Sequence, residues 1–233
     1  MGRWINATLA SMAFTLVCMM AVNAFAQPPV TLLVIGDSLT AGYGLARDDG
    51  FPAQLQRALT ARGLAVQVRD GGVSGDTSAG GRARLAWMLE PPAQQPTGAN
   101  ADAGPDAVIV QLGANDALRG IDPGVTYGNL SAMLRELTAR GLPVLLAGMR
   151  APPNLGGDYQ QRFDAVYPRL AEAYSIPLYP FFLDGVAALP ALNQADGIHP
   201  NAKGVAEIVR RITPAVAVLV ETAAKRSPAR AGP

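Results

Sequence analysis

Two residue types that carry much of enzyme chemistry are almost missing from this chain. Among 233 residues there is one cysteine, Cys18, and one histidine, His199. Cys18 lies inside an N-terminal apolar run, and once that run is removed no cysteine remains. Disulfides, thiol catalysis and thiolate metal sites are then excluded together. Charge is also scarce. Charged residues make up 16% of the chain, the net charge is +1, and there is no basic block. Nothing here favours nucleic acid or an anionic membrane surface as a partner. The apolar run at residues 9–22 is shorter than the ~20 residues that a spanning helix needs.

The run reads instead as the core of a secretory signal. Arg3 supplies the positive start, and Ala24-Phe25-Ala26 is a small-x-small cleavage site before Gln27. A lipid-attachment site is not supported, because Val17 before Cys18 is not small. The expected organisation is a signal peptide at residues 1–26, a single domain at 27–224 and a flexible tail at 225–233. The composition, 49% hydrophobic, is that of a globular chain large enough for one full core. Cleavage removes Arg3 and leaves 18 basic side chains against 18 acidic ones.

Beyond the signal, apolar runs alternate with amphipathic stretches. Strands are expected at residues 30–35, at Leu64, Val66 and Val68, at 106–112, at 143–149 and around Leu178. Helices are expected at 51–62, from Asp76 to about Leu89, after Asp122-Pro123, at about 158–174, and from about Pro200 to the end. Gly63 and Gly141 act as stops, and Pro214 is expected to kink or interrupt the last helix. Five strands alternating with helices predict a three-layer α/β domain with a parallel sheet. The stretch 91–105, "PPAQQPTGANADAGP", reads as a long surface loop.

In open parallel sheets, sites form at the carboxyl ends of the strands. Three turns fall there. The first strand runs straight into Gly36-Asp37-Ser38, the second into "GGVSGDTS" and the third into "LGANDALRG". A serine hydroxyl needs a nearby base to act as a nucleophile, and His199 is the one imidazole available. His199 sits in "DGIHPNAKG", three residues after Asp196 and just before Pro200. The proline pushes it toward an extended conformation, and a turn through Gly197 can bring the Asp196 carboxylate back to Nδ1. A carboxylate there fixes the tautomer and stabilises the imidazolium. Ser38, Asp196 and His199 thus form a complete candidate triad. The rival uses are a plain helix-entry histidine and a metal site, and the latter would need further His or Cys ligands, which the chain does not have. For an oxyanion, Gly75 offers a backbone N–H that a ligand can approach closely and Asn115 offers a carboxamide NH₂, although either could be an ordinary turn residue. The glycines around Ser38 match neither the dinucleotide fingerprint nor the G-x-S-x-G elbow.

Taken together, "GDSLTAGYG", "SGDTSAG", "LGANDALRG" and "DGIHPNAKG" resemble, in order, the four signature blocks of the SGNH, or GDSL, hydrolases. The stretch "PFFLDGVAALPALNQADGIHPNAKG" resembles more narrowly the exported bacterial thioesterase I, lysophospholipase L1 and arylesterase group. The resemblance spans nearly all of residues 30–220. It implies a flavodoxin-like α/β/α sandwich with a five-stranded parallel sheet in the order 2-1-3-4-5. It also implies Ser38 as nucleophile, His199 as base and Asp196 as its orienting partner. The implied oxyanion hole is the N–H of Ser38, the N–H of Gly75 and the side chain of Asn115. No cofactor and no metal are implied. Asp37 and Asp116 are expected to hold the loops by bonding nearby backbone. Residues 91–105 make a longer connection than is usual in this group, and are expected to lie away from the catalytic turns.

The expected protein is a monomeric, exported serine hydrolase, periplasmic or secreted, with no stable membrane anchor after cleavage. Its expected substrates are small carboxylic esters and thioesters: aryl esters, acyl-CoA and lysophospholipids. Residues 117–121 and 150–157 are expected to wall the acyl site. The alternatives are a carbohydrate acetylesterase of the same fold and a non-catalytic periplasmic binding protein. The first needs an aromatic-lined groove, for which Trp87 and the sparse aromatics offer little. The second would normally have lost a triad member.

Overall fold

The order of strands decides where a site can form, and here it is set by which apolar runs are buried on both faces. The computed structural model describes residues 28–90 and 104–226. Residues 1–27, most of the loop expected at 91–105, and residues 227–233 lie outside the described residues. Three strands, β1 (Val30–Gly36), β3 (Ala107–Gln111) and β4 (Val144–Ala147), are buried along nearly their whole length. Such unbroken apolar runs suit central parallel strands covered by helices on both sides. β2 (Val66–Gly72) and β5 (Leu178–Tyr179) alternate or are only half-buried, and they form the edges. All pairings are parallel and the order is β2-β1-β3-β4-β5.

That order contains a switch point. The chain leaves β1 toward β2 on one side, then returns to place β3 on the other, so the segments after β1 and β3 open a crevice between them. Helix α2 (Phe51–Thr60) packs with the final helix, α8 (Ala202–Arg226), in one layer. Helices α3 (Ser78–Leu89), α5 (Pro123–Ala139) and α7 (Val166–Tyr174) form the other. Two short helices, α1 (Ser38–Ala41) and α4 (Ala114–Leu118), begin right after β1 and β3, and α6 (Gly157–Asp164) precedes α7.

Local chemistry explains where several boundaries differ from expectation. Helix α3 starts at Ser78, with Thr77 Oγ1 accepting the Gly80 N–H at 3.3 Å, and not at Asp76. Asp76 is instead drawn to Arg84, whose Nε lies 2.6 Å from its Oδ2. The stretch expected as one helix at 158–174 is two, joined at Ala165. Helix α8 runs unbroken through Pro214. The carbonyl that loses its partner there belongs to exposed Arg210, so water can replace the missing N–H. At its start, Asn201 Oδ1 accepts the N–H groups of Lys203 and Gly204, both at 3.0 Å. At its end, Lys225 and Arg226, the first two residues of the expected tail, are still helical. Arg226 Nη1 donates to the Gly141 carbonyl at 2.7 Å and so anchors the last turn. Among the described residues, no helix is long and apolar enough to cross a membrane.

Candidate active site

Ser38 opens α1, and the two residues before it explain its setting. Gly36 ends β1 in close contact with its neighbours: a Cβ there would lie 2.9 Å from the Gln111 carbonyl and would also strike Thr40. Asp37 caps α1, its Oδ1 accepting the Leu39 N–H at 3.0 Å, while Thr40 Oγ1 donates to its carbonyl at 3.2 Å. The strand therefore turns sharply into a helix, and Ser38 emerges at the carboxyl edge of the sheet.

His199 reaches the same point from the other end of the chain. Its Nε2 lies 2.9 Å from Ser38 Oγ, and its Nδ1 lies 2.7 Å from Asp196 Oδ2. The other Asp196 oxygen accepts the N–H groups of Ile198 at 2.9 Å and His199 at 3.0 Å. Gly197 takes the left-handed φ of 70° that this tight turn needs. The His199 N–H, the imidazole and the Ile198 N–H together hold the Asp196 carboxyl down to about 2. It is thus a fixed anion beside the ring.

Of the three candidate oxyanion donors, Ser38 and Asn115 border one cleft, and Gly75 is not among its lining residues. The N–H groups of Ser38 and Gly75 are bonded to no other group of the described chain. Gly75 adopts φ 83°, a conformation that favours glycine, and Arg119 Nη2 pins its carbonyl at 3.0 Å. Asn115, in α4, donates one Nδ2 hydrogen to the Asp76 carbonyl at 2.9 Å, which orients the amide and leaves its second hydrogen for a ligand.

Asp116 and Asp37 lie beneath this surface. Asp116 is buried and accepts the Ser78 N–H at 2.8 Å, the Ser78 hydroxyl at 2.5 Å and the Thr126 hydroxyl at 3.1 Å. It bolts α4 to the start of α3. Asp37 is fully buried, and desolvation pushes its carboxyl up to about 7, against the opposing influence of the Leu39 N–H. The buried Gln111 side chain favours the ionised form, but makes no well-aligned hydrogen bond with Asp37 Oδ2.

A cleft of ≈ 500 Å³ opens beside Ser38 and His199. Of the residues expected to wall the site, Leu118 and the segment 150–153 line it, whereas the rest of 117–121 and 150–157 do not. A further wall, carried by Phe181, Leu183 and Ala187, escapes sequence reasoning. These residues follow a two-residue edge strand, and no periodicity marks their direction. Leu118 and Ile198 are 53% and 49% exposed, so the mouth of the cleft is apolar.

Sequence and structure comparisons agree on the family. The GDSL-like Lipase/Acylhydrolase family matches residues 34–206. An arylesterase of Vibrio mimicus is 40% identical over 187 residues, covering 80% of this chain and 88% of that protein. "Thioesterase 1/protease 1/lysophospholipase L1" of Escherichia coli strain K12 is 39% identical over 171 residues, covering 73% of this chain and 76% of that protein. The crystal structure of AlinE4, an SGNH-hydrolase family esterase, is 47% identical with a TM-score of 0.66, covering 82% of this chain and 96% of that one. The chain belongs to the GDSL-like lipase/acylhydrolase family, and its fold is that of the SGNH hydrolases.

Proposed function

We propose that this protein is a serine hydrolase that cleaves carboxylic esters and thioesters through an acyl-enzyme on Ser38. The observation that supports it most is the hydrogen-bonded relay Ser38–His199–Asp196 opening directly onto an apolar cleft. In the reaction, Ser38 Oγ attacks the acyl carbonyl carbon as its proton passes to His199 Nε2. Asp196, held as an anion, stabilises the imidazolium. The carbonyl oxygen, now an oxyanion, is met by the N–H groups of Ser38 and Gly75 and by Asn115 Nδ2. Collapse returns the proton from His199 to the leaving alcohol or thiol. Water, deprotonated by the same imidazole, then releases the acid and restores Ser38.

The apolar lining supports acyl chains over sugars, since among the described residues Phe181 is the one ring of Phe, Tyr or Trp that lines the cleft. The names of the Vibrio mimicus and Escherichia coli relatives support aryl esters, acyl thioesters and lysophospholipids as the classes to assay first. Residues 1–26 direct export and are cleaved, and residues from 27 onward act as a single monomeric domain, in a periplasm or outside the cell. The purified mature protein is expected to hydrolyse p-nitrophenyl esters and acyl-CoA, and to be labelled on Ser38 by a fluorophosphonate. Labelling that survives Ser38→Ala, or activity on acetylated sugars alone, would refute the reading.

A further inference from the structure

Tyr43 lies 156 residues from His199 in sequence, yet its ring sits over the imidazole, with centroids 4.6 Å apart and planes tilted by 38°. The arrangement is built and not incidental. The Tyr43 N–H donates to the Ser38 carbonyl at 3.1 Å. Its own carbonyl accepts Gln194 Nε2 at 2.7 Å, and that same nitrogen donates to the Pro200 carbonyl at 3.0 Å. The Gln194 N–H in turn bonds the His199 carbonyl at 2.7 Å. One glutamine thus clamps the segment bearing Tyr43 to the segment bearing His199. Tyr43 nevertheless remains 53% exposed, so burying its ring is not what the clamp achieves.

We infer that Tyr43 is a positioning residue for the hydrolysis: its ring roofs the imidazole of His199, restrains it in line with Ser38 and Asp196, and presents a π face to the imidazolium that forms during acyl transfer. The inference rests on the proposed role of His199 as base. An exposed aromatic face beside a cation contributes enough to change a rate about two- to fivefold. Because Tyr43 does not line the cleft, the effect falls on kcat and leaves KM unchanged.

The test compares Tyr43→Phe with Tyr43→Leu in the mature protein, using a p-nitrophenyl ester and the rate of fluorophosphonate labelling of Ser38. Phenylalanine keeps the π face and is expected to keep kcat and the labelling rate near wild type. Leucine keeps bulk without the π face and is expected to lower both about two- to fivefold, with KM and the melting temperature unchanged. Wild-type kcat in Tyr43→Leu would overturn the inference, as would an equal loss in Tyr43→Phe or a rise in KM with kcat intact. These failures are distinct from failure of the hydrolase reading, in which the wild-type protein itself would neither be labelled nor turn over ester.

Discussion

Asp116 grips Ser78 from both of its carboxylate oxygens, Oδ2 taking the N–H at 2.8 Å and Oδ1 the hydroxyl at 2.5 Å. One residue after the proposed oxyanion donor Asn115, it locks that residue's helix to the helix behind it. Asp116→Ala leaves the Ser78 and Thr126 donors buried without an acceptor. It is expected to cost about 2–4 kcal/mol of stability and to lower kcat more than it raises KM. Urea unfolding alongside steady-state kinetics measures both, and unchanged stability would show that the grip is not structural.

Removing the relay has a graded cost. Ser38→Ala is expected to abolish acyl-enzyme formation. Asp196→Ala is expected to cost about 10³–10⁴ in kcat, because the imidazole loses the anion that orients it. Initial rates on a single chromogenic ester measure the series, and an Asp196→Ala variant within tenfold of wild type would remove Asp196 from the relay.

Asn115→Ala takes away one of the three proposed oxyanion donors. The expected loss is about 10²–10³ in kcat with little change in KM. A change confined to KM would instead make Asn115 a binding residue.

The Asp196 carboxyl is held down to about 2, so it is expected to stay ionised at every pH where the enzyme is assayed. Carboxyl titration followed by NMR measures this directly, and an Asp196 that protonates at or above the ordinary 3.8 would remove the anion from beside the His199 ring. The lowered Asp196 value adds stability that is present above its unfolded value of 3.8 and is lost as pH falls toward 2.

Asp37 has the opposite sign. Its carboxyl is raised from 3.8 to about 7, so the fold disfavours the ionised form. Its contribution is best below pH 4, worsens as pH climbs from 4 to 7, and is constant above that. Asp37→Asn keeps an oxygen to accept the Leu39 N–H and cannot ionise. The melting temperature of the variant, relative to wild type, is expected to rise between pH 4 and 7 and then level off. A difference that is flat across this window would mean that Asp37 does not titrate there.

The parts of this molecule legible in sequence are those encoded locally. The runs that became β1, β3 and β4 are continuous because both their faces are buried. The Asp196–His199 bond spans a single turn, so its spacing is visible in the chain. What was not legible depends on partners distant in sequence. Asp76 looks like a helix cap until Arg84 claims it. Pro214 looks like a breaker until Arg210, four residues earlier, proves to face water. The wall at Phe181 and Leu183 and the ring of Tyr43 over His199 follow from how segments far apart in sequence pack together, which no short window of sequence records.

The bond between Ser38 and His199 joins positions 161 residues apart. The proposed nucleophile directly follows the first strand, whereas its proposed base precedes the final helix. On the proposed roles, a nascent chain carries Ser38 long before the residue that activates it has been made. A stop ahead of His199 is then expected to yield a chemically silent product, so reactivity is tied to completion of nearly the whole chain.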